Sequence, residues 1–95
     1  MYRIGRGVAQ DLRKMADWYR KAATQGQVDA QMDLSMMYFN GTLGVPKDDV
    51  LAYMWADLAA ASRPAAALIR DAVADHMTPD QIAEALRMAR KLVAH

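Results

Sequence analysis

The 95-residue chain contains no cysteine. No disulfide can hold it together, and thiolate-based metal or redox sites are excluded. That absence fits a cytoplasm and does not exclude a periplasm. Valine, isoleucine and threonine are sparse. They are the residues that suit a pleated, half-buried surface, so a sheet is not expected. Proline occurs three times and phenylalanine once. No apolar run approaches the length of a membrane span. The first ten residues, MYRIGRGVAQ, lack the apolar core of a secretory leader. Neither sign of charge dominates: 12 basic and 11 acidic residues leave a net charge of +1. Nucleic-acid binders usually carry a strong basic excess. Neither a nucleic acid nor a membrane is therefore an expected partner.

What the chain does have is apolar residues, 54% of the total, with alanine and methionine prominent. Alanine, leucine, methionine, lysine and arginine all favour helices. Charge is distributed unevenly. Residues 1–21 carry six basic and two acidic groups, a net +4. Residues 22–62 carry one basic and five acidic groups, a net −4, and residues 63–95 a net +1. A basic end beside an acidic middle suits protein surfaces; scatter over a solvated surface accounts for it equally well.

Five helices are expected. Leu12, Met15, Ala16, Tyr19, Ala22 and Ala23 follow the spacing of one helical face, with Asp11 as N-cap and Gly26 as the stop. A second helix spans about 28–39 and ends at Asn40-Gly41. A third begins near Asp48 or Asp49, after Pro46, and runs to about Ala61. A fourth begins near Pro64 and ends near His76. For the fifth, Thr78 is the N-cap, Pro79 the first helical residue and Gln81 the partner in a capping box. Ile82, Leu86, Ala89 and Val93 form its apolar face. Short connections imply that consecutive helices pack as antiparallel pairs.

The chain also repeats itself. YRIGRGVAQD at 2–11 matches YFNGTLGVPKD at 38–48. Tyr2 pairs with Tyr38 and Gly5 with Gly41; after one extra residue within Thr42-Leu43, Gly7-Val8 pairs with Gly44-Val45, Asp11 with Asp48, Trp18 with Trp55, and Ala22-Ala23 with Ala59-Ala60. Self-similarity at this spacing is the mark of a helical-hairpin array. AQMDLSMMYFNGTLGVPKDDVLAYMWADLAA at 30–60 resembles the Sel1-like repeat, a tetratricopeptide-related hairpin, in Ala30-Gln31, Leu34, Tyr38, Gly41, Gly44-Val45, Asp48, Ala52, Trp55 and Ala59-Ala60. The resemblance covers roughly residues 2–62. Ser35 stands where the family has a glycine, and Ser62 near another. MTPDQIAEALRMARKL looks like the non-repeating helical end of some bacterial members. The resemblance implies an all-α, right-handed αα-superhelix: repeats over 1–62, the first truncated at its N-terminus, and a capping helical pair over 63–95. It implies a protein-interaction scaffold without catalysis or cofactor, binding a protein or peptide.

The loop GTLGVPKDD invites a phosphate-binding reading, which its chemistry refuses. Two residues, rather than four, separate Gly41 from Gly44. Pro46 removes a backbone donor, and Asp48 and Asp49 put negative charge where phosphate would sit. The loop reads as a turn between helices, with the extra residue bulging at its edge. His76 and His95 are isolated and supply no metal motif. A hydrolase acting on cell-wall material would need Asp29, Asp33 or His76 gathered in one cleft.

The second helix is apolar on two sides. Ala30, Leu34, Met37 and Tyr38 form one; Met32, Met36 and Phe39 lie nearly opposite. A helix apolar on two sides buries both or offers one to a partner. By the resemblance, Asp29, Met32, Met36, Phe39 and Asn40 line a partner-binding groove; packing against a neighbouring helix is the competing reading. Trp18 and Trp55, at equivalent repeat positions, are both expected in the core. A truncated first repeat would leave Met15, Trp18 and Tyr19 uncovered, a face for homodimerisation.

Overall fold

The computed structural model describes residues 4–42 and 45–94, with side chains for 13–42 and 45–92. Among these residues there are five helices and no strand: α1 (Ile4–Thr24), α2 (Val28–Asn40), α3 (Asp49–Ala60), α4 (Pro64–Ala74) and α5 (Pro79–Ala94). Their limits follow from local chemistry. Gly26 takes φ 98° and ends α1, with Gly26 N–H donating to Ala23 O (3.0 Å) and Gln27 N–H to Ala22 O (3.1 Å). This paired closure satisfies carbonyls that the helix end leaves free. Gly41, at φ 68°, ends α2 by a different closure: Gly41 and Thr42 N–H both donate to the one carbonyl of Met37. Asp48 caps α3, its carboxylate accepting from Leu51 N–H at 3.1 Å. Pro64 opens α4. Thr78 and Gln81 form the full capping box of α5, with bonds of 2.9 and 3.2 Å.

One boundary differs from the sequence expectation. The stretch from Gly5 to Asp11, read as a shorter copy of the second-repeat turn, is part of α1, and Asp11 lies inside the helix rather than capping it. The reason is a single position. Pro46 interrupts the second copy; its equivalent in the first, at the repeat offset, is Ala9. Proline lacks the donor and disfavours helical backbone in the residue before it, whereas alanine is the best helix former. Of Thr42-Leu43, where the second loop was expected to bulge, Leu43 lies outside the described residues, as does the Val93 side chain of the α5 face.

The helices build two layers. α2 packs on α3 and α3 on α4, while α2 also meets α4, and α3 meets α5. Contacts between every second helix, added to contacts between neighbours, define a helical-hairpin solenoid. The expected pairing of consecutive helices fails once: α5 leans on α3, rather than packing along α4. α3 is the centre of the molecule. Ala52, Ala56 and Ala59, one small-residue stripe along it, are fully buried, as is Leu34 of α2. Where α2 and α3 come closest, Ser35 donates to Ala52 O at 2.6 Å. A small side chain is needed there, and the serine keeps its hydroxyl satisfied. Gln31, also buried, donates to Ala23 O at 3.1 Å and ties α2 to the end of α1. No buried side-chain nitrogen or oxygen among the described residues is left without a partner.

Candidate interaction surface

Asp29, Met32, Met36, Phe39 and Asn40 fall on one arc of α2. Spacings of three, four and seven residues put them side by side, opposite the buried Ala30, Leu34, Met37 and Tyr38. Asp29 and Asn40 are exposed, Met32 and Phe39 half-buried. Met36 lies in the open at 47% exposure. The edge of this stripe packs against a neighbour and its centre faces solvent.

The neighbour is α4 with its flanking turns. At the start of α2, Asp29 pairs with Arg63, the residue just before α4; the same guanidinium lies 3.8 Å from the Met32 sulfur. At the other end, Phe39 meets His76 edge-to-face, with ring centroids 5.4 Å apart. Start joins start and end joins end, so α2 and α4 run side by side in the same direction. Lys47 Nζ lies over the Phe39 ring, 4.9 Å from its centroid, and donates to Phe39 O at 3.1 Å. On α4, Leu68 is 73% exposed. Asp71, Ala72 and Asp75 stand three, four and seven residues after it and are also exposed. The result is a two-helix face with apolar centres at Met36 and Leu68 and an acidic border.

Arg63, Leu68 and His76 were not legible as part of this face. Their partners on α2 are more than thirty positions away in the chain, and Leu68 sits in an alanine-rich helix that reads as core. The residues that a hydrolase would need are not gathered. Asp29 is held at one end of α2 and His76 at the other, about 15 Å apart for ten helical residues. Among the described residues, no group of three or more His, Asp or Glu could hold a metal. Three ionisations among the described residues are perturbed, for structural reasons; one is that of Arg70 on α4, where burial opposes the charge but hydrogen bonds to Asp71 and Asp57 outweigh that cost and raise the pKa. The hydrogen bond from Arg20 to the Tyr38 hydroxyl, 3.1 Å long, raises the Arg20 pKa. Burial raises that of Tyr53.

A second surface lies on α1. Ala16, Ala22 and Ala23 are buried and Tyr19 half-buried, but Met15 is 42% and Trp18 60% exposed. Trp18 is thus not a core residue, contrary to the expectation from its repeat position. Trp55, its equivalent, is buried to 6% exposure. The difference is the covering helix: Trp55 lies beneath α5, beside Met88 and Leu92, whereas α1 packs principally on α2. Trp18 stands edge-on against Tyr19, at 5.5 Å between centroids.

The fold and these surfaces define a helical-hairpin repeat protein. The Sel1 repeat model matches residues 1–27 and 28–63, about two thirds of the chain. The chain belongs to the Sel1 repeat family, whose members are typically protein-interaction scaffolds. No curated protein and no solved structure matches it.

Proposed function

We propose that this chain is an interaction module that holds a segment of a partner protein against the α2–α4 face. The observation that carries the reading is Met36. It lies open at the middle of a face whose two ends are fixed, by Asp29–Arg63 and by Phe39–His76. Methionine suits such a place, because its flexible, polarisable side chain adapts to apolar groups of different shape. Asp29, Asn40 and the half-buried Met32 and Phe39 would set the rim. In this reading α4 and α5, residues 63–95 with their connections, close the end of the repeats while α4 supplies half of the surface. The absence of strong positive charge favours a protein partner over a nucleic acid.

The test is a pull-down from cells that express the chain, comparing wild type with Met36→Glu and Phe39→Glu. Circular dichroism melts first establish that both variants fold. Loss of the same captured protein with Met36→Glu, at an unchanged melting temperature, is the expected result. Retention of that protein by both folded variants would exclude the α2–α4 face as its binding site.

A further inference from the structure

We propose that a second copy of this chain docks through its α1 onto the α2–α4 face of the first. The inference rests on reading that face as a binding surface, and it names the occupant from charge and shape. The exposed side of α1 is apolar with a basic excess: Asp17, which lies beside Lys14 and Lys21, is paired with Arg20 at 2.6 Å. Met15 and Trp18 form its centre. Lys14 and Lys21, four residues before and three residues after Trp18, are exposed on the same side. The α2–α4 face is the counterpart: Met36 and Leu68 are its apolar centres. Asp33, Asp71 and Asp75 are exposed around them; Arg70 pairs with Asp71 at 3.4 Å and leaves the face with an acidic excess. An α1–α1 contact between copies would instead set Lys14 and Lys21 against their own equivalents. Like charges brought together across an interface oppose that arrangement, whereas opposite charges fix register and speed encounter.

The two surfaces differ, so each copy carries one donor face and one acceptor face. Such a heterologous contact closes into a ring or continues as a chain. Burial of Trp18 by a neighbouring copy would give it a cover like the one α5 gives Trp55 within one chain.

The experiment is sedimentation equilibrium over a wide concentration range, at low and high salt. Wild type is compared with Trp18→Lys, which keeps the α1 side basic, and Met36→Glu, which keeps the acceptor face acidic. Both substitutions are at exposed positions, and a thermal melt checks that each variant folds. Wild type is expected to at least double its weight-average mass as concentration rises, and to lose that gain at high salt. Each variant alone should stay at the mass of one copy. An equimolar mixture should form a dimer and stop there, since only one intact donor and one intact acceptor face remain. A wild type that stays single at every concentration overturns the proposal, as does self-association by Met36→Glu alone, which would place the contact between α1 helices. If wild type stays single while the pull-down still loses its protein with Met36→Glu but not with Trp18→Lys, the docking of copies fails and the α2–α4 binding surface stands.

Discussion

Gly41 shows how much one residue can carry. Its φ of 68° lies in the left-handed region, and a Cβ there would meet Lys47 Cβ at 3.2 Å and its backbone nitrogen at 3.3 Å. The loop is folded that tightly because Asp48 N–H donates back to Tyr38 O at 2.9 Å and Val45 is buried. Gly41→Ala is expected to cost about 1 kcal/mol or more through backbone strain, lowering Tm by several degrees; an unchanged melting curve would refute it. The tryptophans make a sharper pair. Trp55→Ala should cost about 3–5 kcal/mol, as truncation of a buried ring does. Trp18→Ala in the single copy should stay within about 0.5 kcal/mol, as at most surface sites. Urea midpoints of the two variants decide the matter. Sequence equivalence identified these residues as occupants of one repeat position. It did not reveal their burial, because burial belongs to the helix next door: α3 has α5 over Trp55, and among the described residues α1 packs principally on α2.

At the scale of the element, most boundaries were legible because the chemistry that sets them is local. Thr78 and Gln81 satisfy each other's backbone N–H, and nothing outside four residues is required. Thr78→Ala should therefore cost about 1 kcal/mol and fray the first turn of α5, visible as faster amide exchange at residues 79–82 with little change elsewhere. Gly26, Gly41 and Asp48 were readable for the same reason. The start of α1 was not. There the repeat pattern carried Gly5, Gly7 and Asp11 into equivalence with a turn, while Ala9 in place of Pro46 removed the one residue that forces the chain out of helix. A pattern match weighted all positions alike; the backbone did not. The arc on α2 was visible as spacing. The half of the face contributed by α4 was not, since Arg63 and His76 reach it only through tertiary packing.

For the whole molecule, the solenoid follows from helices that cannot bury two apolar sides alone. α3 resolves this by taking α2, α4 and α5 around its alanine stripe. Charge that is spread along the chain becomes spatial in the same arrangement. α1 presents Lys14 and Lys21 on one surface, and α2 and α4 present their aspartates on another. No composition could show this, because overall the charges nearly cancel.

The central place of α3 also sets an order of events in time. A helix held on three sides opens only when most of the domain opens with it, whereas one held chiefly on a single side can detach alone. Native-state hydrogen exchange should find the amides of Ala52 to Ala59 the slowest in the chain, near the global unfolding free energy. Those in the described part of α1 should exchange through a cheaper partial opening, and uniform protection across both helices would contradict this. If exchange follows that order, a lesion confined to α1 should be felt by the α1–α2 contact first and by the α3 centre last.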